Sequence, residues 1–284
     1  MMDVATFTAH RETLAAPGGE IAYTEFGTGP VALFMHGIGT SGALWRHVVE
    51  ELSSTSRCIA IDLPGHGGTP GRRDASVAGM ADAVAELCDG LGLDQVDLVG
   101  NDTGGAVAQI FAARQPGRLR TLALTNCDTE GNFPPAEVAP FIEAARAGMA
   151  APFLAAIVDD PDEWRTSALA GGYQDPARIP DEAFLEYLPP IGGTLDKARY
   201  FERVLAALDP ADLSAVQGEL ANLTVPTLIV WGTGDAMFGT KWAYELRDLI
   251  PGARDVIEIE GAKVFFPEER PADLVPHLQR HWNR

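Results

Sequence analysis

The segment around Asp102 combines a reactive side chain with the backbone pattern that would expose it. An apolar run ends at Val99, the pattern Gly-x-Asp-x-Gly spans Gly100 to Gly104, and a helical pattern follows. This is the layout of a nucleophile elbow, where a tight turn presents one side chain and small residues allow close strand–helix packing. A carboxylate there can attack an electrophilic carbon and form an ester. The alternative is that Asp102 caps the following helix, because aspartate is a favoured N-cap residue.

Two further loops follow apolar runs and carry residues that could shape a reactive site. His36-Gly37-Ile38-Gly39 is typical of a loop whose backbone N–H meets developing negative charge. The second loop, Asp62–Gly67, has the sequence Asp-Leu-Pro-Gly-His-Gly.

Strands and helices alternate along the chain, which predicts an α/β fold with a mainly parallel sheet. Several strands are continuous apolar runs, as expected for strands buried on both faces. The predicted strands are Ile21–Glu25, Val31–Met35, Arg57–Asp62, Val96–Val99, Leu122–Asn126, Thr227–Trp231 and Val256–Ile259. The clearest helical patterns are Ala75–Leu91, Gly104–Gln115, Lys241–Ile250 and Pro271–Trp282.

One stretch interrupts this alternation. Between residues 131 and 221 there is no convincing buried strand, and helical fragments are punctuated by prolines and by glycine pairs. We therefore predict a core formed by residues 1–130 and 222–284, with a helical cap inserted at 131–221.

Composition and charge exclude several classes of function. The 284 residues include 21 Lys and Arg against 40 Asp and Glu, which gives a net charge of −19. Such an acidic chain would repel phosphate backbones and anionic membrane surfaces. The 3 cysteines form no CxxC pair, and the amino terminus lacks a signal-peptide pattern, so we expect a cytoplasmic protein. We expect no nucleic-acid, membrane or metal partner, and a monomer or a homodimer.

The three loops, in this order and spacing, resemble those of the α/β-hydrolase fold, and the resemblance runs from about Ala22 to the carboxyl terminus. Aspartate in place of the usual serine at the elbow is similar to the epoxide hydrolase and haloalkane dehalogenase branch. The resemblance implies oxyanion donors at the backbone N–H groups of Ile38 and Thr103, and it implies no cofactor. It offers two positions for the acid, Asp235 after the penultimate core strand and Asp128 after the strand that follows the elbow, with Asp235 preferred.

The resemblance fails at the general base. Members of the family carry a histidine before a stretch such as Glu-Glu-Arg-Pro, and here that position holds Val264, which can neither accept nor donate a proton. His66 and Lys263 are weak substitutes. His277 and His281 have the spacing of a metal pair but no third ligand.

Aromatic residues of the predicted cap favour a small, largely apolar or aromatic substrate. The resemblance implies that cap tyrosines polarise an epoxide oxygen, and we expect substrate contacts from His36, Trp164, Tyr173, Tyr187 and Tyr200. By the same resemblance, dehalogenases typically hold the halide with a tryptophan directly after the nucleophile and with a partner in the oxyanion loop. Here these positions hold Thr103 and Ile38, which argues against dehalogenation.

Three interpretations of function remain open at this point. The first is an epoxide-hydrolase-like enzyme with Asp102 as nucleophile. The second is a lyase, isomerase or cyclase of the same fold that uses Asp102 as a general acid or base, since Val264 stands in the histidine position. The third is a ligand-binding relative without turnover. The sequence of the elbow and the oxyanion loop favours an enzyme.

Overall fold

A single eight-stranded sheet forms the centre of the protein. The computed structural model describes residues 1–156, 158, 165, 166 and 170–283. The strands are β1 (Arg11–Ala16), β2 (Gly19–Phe26), β3 (Val31–Met35), β4 (Arg57–Ile61), β5 (Val96–Asp102), β6 (Leu119–Cys127), β7 (Thr227–Gly232) and β8 (Ala253–Ile259). Their order in the sheet is β1-β2-β4-β3-β5-β6-β7-β8. The pairs β1–β2 and β2–β4 are antiparallel and the others are parallel. The predicted fold class is confirmed.

Helices cover both faces of this sheet, which is why its central strands are apolar along their whole length. In β3, for example, Leu33, Phe34 and Met35 are fully buried. The helices are α1 (Val4–Thr8), α2 (Arg46–Leu52), α3 (Val77–Gly90), α4 (Thr103–Arg114), α5 (Ala139–Arg146), α6 (Ala151–Ala156), α7 (Asp181–Gly192), α8 (Leu195–Ala206), α9 (Ala211–Ser214), α10 (Gln217–Leu220), α11 (Thr240–Leu249), α12 (Phe266–Glu269) and α13 (Pro271–Trp282).

The topology places the loops singled out above at one edge of the sheet. β5 lies between β3 and β6, and all three are parallel. Their carboxyl ends therefore meet, which brings together Ile38, Asp102 and Asp128 from three separate segments of the chain. β7 and β8 follow at the same edge and position Asp235 and Val264.

The segment from 131 to 221 contributes helices and 3₁₀ turns, and its described residues include no strand. A buried cluster ties this segment to the core. The Tyr173 hydroxyl donates to Glu268 Oε2 at 2.6 Å, and Glu268 also pairs with the guanidinium of Arg46. Both charged side chains are almost completely buried. The residue boundaries of the cap stay a prediction.

Glu268→Gln should destabilise the fold strongly, because it leaves the buried Arg46 guanidinium without its counter-ion. Breaking a buried ion pair from one side costs about 3–5 kcal/mol, and we expect the Tm to fall by roughly 10 °C. Calorimetry measures this. Asp82→Asn, which breaks the exposed Arg114–Asp82 pair, is the matched control and should cost less than about 1 kcal/mol. Equal losses in the two variants would contradict the stabilising role of the buried cluster.

Candidate active site

Asp102 lies on a strained turn between β5 and α4. Its backbone has φ 55° and ψ −134°, the only positive φ of a non-glycine residue in the described part of the chain. Residues held in such sparsely populated conformations are typical of functional sites, and this turn has the geometry of a nucleophile elbow. The carboxylate makes no N-capping hydrogen bond to α4, so capping does not explain the aspartate.

The Asp102 carboxylate instead lies against the oxyanion loop. The backbone N–H of Ile38 donates to Asp102 Oδ2 at 3.0 Å, and the N–H of Thr103 also favours the ionised carboxylate. Glycine is required at residue 37, because a Cβ there would come within 2.0 Å of Asp102 Oδ2. The two N–H groups named from the sequence thus both act on this carboxylate.

Asp128 follows β6 and lies on the other side of the elbow. The hydroxyl of Thr103 donates to Asp128 Oδ2 at 2.8 Å, and the side-chain amide of Gln109 donates to the Asp128 carbonyl at 2.8 Å. The side chain is buried, and its Oδ1 has no hydrogen-bond partner within the described residues.

Asp235 and Val264 form a separate cluster beside this site. Asp235 Oδ1 accepts from the backbone N–H groups of Met237 and Phe238 at 2.8 and 2.9 Å. The N–H of Val264 also acts on this carboxylate and lowers its pKa, although burial dominates and raises the pKa overall. The Val264 side chain is fully buried and carries no group that could exchange a proton with Asp235.

Both carboxyl groups at the elbow, Asp102 and Asp128, have raised pKa values. Burial and the neighbouring charges of Asp128 and Asp235 raise the pKa of Asp102, and the N–H groups of Ile38 and Thr103 offset only part of this. Burial raises the pKa of Asp128 to about 7, against a lowering contribution from the Thr103 hydroxyl. Both carboxyl groups therefore lose their protons at a higher pH than an ordinary aspartate does.

This raised pKa predicts a pH dependence of stability. A carboxyl whose pKa is higher in the folded state stabilises the fold fully below its unfolded pKa, near 4, and this contribution is lost as pH rises towards about 7. Asp128→Asn removes it. The Tm of the variant relative to the wild type should therefore rise by several degrees between pH 4 and 7.5. A constant difference in thermal melts across that range would contradict the raised pKa.

An apolar cavity opens above the two carboxyl groups. The volume of the cavity, counted as the space that the centre of a water molecule can occupy, is about 100 Å³. This is several times what one water molecule needs. Its only polar side chains, within the described residues, are Asp102, Thr103 and Asp128. The apolar lining comes from Ile38, Phe133, Pro134, Pro135, Val138, Phe141, Phe153, Leu154, Ile191, Phe201, Leu205, Leu208, Met237, Phe238 and Phe265.

The described tyrosines expected to contact substrate do not line this cavity. Tyr173 donates its hydroxyl to Glu268, and the hydroxyl of Tyr200 accepts from the backbone N–H of Arg72 at 3.0 Å. Tyr187 is fully buried near Glu268. Tyr187 and Tyr200 lie on α7 and α8, and Tyr173 follows a 3₁₀ turn; the sequence pattern did not reveal the direction of any of the three rings. Trp164 lies outside the described residues.

His36 does not line this cavity either. Its Nδ1 lies 2.7 Å from the carbonyl of Gly37 and its Nε2 accepts from the N–H of Leu63 at 3.0 Å. Burial lowers the pKa of His36 to about 4. The neutral ring therefore connects two loops. His66 packs against it and has a pKa lowered to about 3 by burial.

Residues 30–270 match the family model for the alpha/beta hydrolase fold. The chain belongs to the α/β hydrolase fold family. Haloalkane dehalogenase 2 of Mycobacterium bovis is 27% identical over 255 residues, which cover 89% of this chain and 88% of that protein. Epoxide hydrolase 3 of Siraitia grosvenorii is 26% identical over 313 residues, which cover 96% and 98%. The crystal structure of a haloalkane dehalogenase from Bradyrhizobium elkani superposes with a TM-score of 0.79 at 26% identity, covering 96% and 97%.

The matched range includes Ile38, Asp102 and Val264, and the assignment of Val264 to the family's histidine position stays a prediction. Two other features concern partners. No described helix is long and apolar enough to cross a membrane. The described residues also contain no group of three or more His, Cys, Asp or Glu side chains that could hold a metal ion.

Proposed function

We propose that this protein is an epoxide-hydrolase-like enzyme in which Asp102 attacks a small, largely apolar or aromatic substrate. The observation that carries the proposal is the position of the Asp102 carboxylate. One oxygen is held by the N–H of Ile38, and the carboxylate lies in the lining of an apolar cavity. A carboxylate bound in this way can attack a carbon with its other oxygen.

The same hydrogen bond suits the second half of the reaction. When water attacks the carbonyl carbon of an alkyl ester on Asp102, negative charge develops on the oxygen that the N–H of Ile38 holds. A backbone N–H already aimed at that oxygen stabilises the transition state, and one such donor is worth about 10²–10³ in rate.

The cavity defines the class of substrate. Its lining has three polar side chains, all at one end, and aromatic and aliphatic side chains elsewhere. Such a site favours a neutral molecule that places one polar atom at the carboxyl end. A strained cyclic ether on an aromatic or aliphatic group has this arrangement.

The raised pKa of Asp102 favours a second candidate function. A protonated carboxyl in an apolar site is a good general acid, and Val264 leaves the histidine position without a base. A lyase, isomerase or cyclase that uses Asp102 for proton transfer is therefore the alternative. A ligand-binding protein without turnover is the third. A cytoplasmic location and a monomeric or homodimeric state stay predictions.

Mass spectrometry of the intact protein distinguishes these functions. The protein is incubated with styrene oxide and 1,2-epoxybutane, and both the protein mass and the products are followed. Diol formation, with a transient gain of one epoxide mass, is the expected result. An isomerised or cyclised product without any protein adduct would favour the alternative, and binding without reaction would favour the ligand-binding protein.

A further inference from the structure

We propose that Asp128 is the proton donor and acceptor in place of the histidine expected at position 264. It protonates the oxygen that leaves when Asp102 attacks an epoxide, and it then activates the water that hydrolyses the ester. This inference rests on the proposed function, because it assigns the proton transfers of that reaction. It differs from the role implied by the resemblance, in which an acid at this position would only orient a histidine.

The contacts of Asp128 leave one oxygen ready for proton transfer. Its Oδ2 accepts from the Thr103 hydroxyl at 2.8 Å, and Gln109 fixes its backbone carbonyl. The other oxygen, Oδ1, is buried and has no hydrogen-bond partner among the residues described. Because Asp128 and Asp102 both line the cavity, a molecule bound there can meet both carboxyl groups.

Other titratable groups are not placed to do this. In the described lining of the cavity there is no histidine, tyrosine, lysine, arginine, cysteine or glutamate. His36 uses both ring nitrogens to hold its own loop. Asp235 is absent from that lining and has one oxygen occupied by two backbone N–H groups. Asp128 is therefore the one titratable partner of Asp102 in the described lining.

The pKa of Asp128 suits a group that first donates a proton and then accepts one. Burial raises the pKa of Asp128 to about 7, and the charge of Asp128 contributes to the raised pKa of Asp102. Asp102 attacks as the ionised carboxylate, in the protonation state of the pair in which Asp128 holds the proton. A proton donor and acceptor is most effective when its pKa lies near the working pH.

The protons balance over the two steps. First, Asp102 Oδ1 bonds to an epoxide carbon, the carbon–oxygen bond breaks, and the Asp128 proton passes to the freed oxygen. Second, ionised Asp128 takes a proton from water as the water oxygen attacks the Asp102 carbonyl carbon. The tetrahedral intermediate then expels the alkoxide, which takes the proton left on the water oxygen. Diol, ionised Asp102 and protonated Asp128 remain.

The test compares Asp128→Asn with Asp97→Asn, which makes the same change at the opposite end of β5, far from the cavity. Two probes separate the roles of Asp128. Opening 1,2-epoxybutane requires a proton for the leaving oxygen, whereas 1-bromobutane loses bromide and requires none. Intact mass is followed after each probe, and excess probe is then removed to time the hydrolysis of any ester.

We expect 1-bromobutane to alkylate Asp128→Asn at a rate within about threefold of the wild-type rate. The epoxide should react with the variant at least about 100-fold more slowly than with wild type, and the ester of the variant should be hydrolysed at least about 100-fold more slowly than that of wild type. The control should match wild type. In the wild type, ester hydrolysis should become faster with rising pH and level off above about 7. Because this pH profile is measured on the wild type, it tests the role of Asp128 even if Asp128→Asn does not fold.

The outcomes separate the two proposals. If Asp128→Asn hydrolyses the ester within threefold of wild type, or if hydrolysis in the wild type is independent of pH from 5 to 8, the role of Asp128 is overturned while Asp102 stays the nucleophile. If the wild type forms neither adduct nor product with either probe, the proposed function itself is overturned.

Discussion

Replacing Asp102 with asparagine is expected to abolish both covalent adduct formation and turnover. The amide cannot supply the attacking oxygen, and loss of a nucleophile typically costs about 10⁴-fold or more in kcat. The fold should tolerate the change, because Asn is nearly isosteric and can still accept the N–H of Ile38. Removing a buried carboxyl whose pKa is raised should moreover leave the Tm at neutral pH equal to that of wild type or higher.

Product assays, intact mass and thermal melts check this prediction together. Asp97→Asn again serves as the control for turnover and adduct formation away from the site; its own Tm should fall, because the change removes the counter-ion of Arg120. A variant that keeps more than a tenth of the wild-type turnover would contradict a nucleophilic role for Asp102.

Placing a histidine at Val264 should restore the base that the family pattern implies. The carboxylate of Asp235 interacts with the backbone at this position and could orient an imidazole there. In the Asp128→Asn background, we expect Val264→His to accelerate ester hydrolysis by about 10²–10⁴-fold. The larger side chain should lower stability by about 1–3 kcal/mol, because Val264 is fully buried and packs against Gly172.

Val264→Leu in the same background is the matched control, since it adds volume without a basic nitrogen. It should lose similar stability and hydrolyse the ester no faster than Asp128→Asn alone. An equally long-lived ester in the folded histidine variant would show that Val264 does not occupy the position of a general base.

Much of the fold could be predicted because the strands of a doubly covered sheet are continuous apolar runs with helical patterns between them. The strand that escaped prediction, β1 (Arg11–Ala16), lies at the sheet edge and is half exposed. Its sequence alternates only weakly between polar and apolar residues. Neither the regular alternation of a half-buried strand nor the continuous apolar run of a fully buried strand therefore identifies it.

The elbow could also be predicted from the sequence, because strand, glycines and helix are contiguous there. The partner of Asp102 could not. Asp128 and Asp235 both follow parallel strands, and only the three-dimensional arrangement shows that Asp128 lines the cavity. The orientation of Tyr187 and Tyr200 depends on how α7 and α8 pack, and residues such as Phe133 and Phe238 come from loops without periodicity.

The central claim is that Asp102 becomes covalently bonded to substrate, and oxygen labelling tests it most directly. The wild-type protein is allowed to turn over 1,2-epoxybutane in water enriched in oxygen-18, and the peptide containing Asp102 is then analysed by mass spectrometry. Because water attacks the carbonyl carbon of the ester, we expect the heavy oxygen in the Asp102 carboxylate, and Asp97→Asn should give the same label. A labelled diol together with an unlabelled Asp102 would mean that water attacks the substrate directly, which would contradict this account.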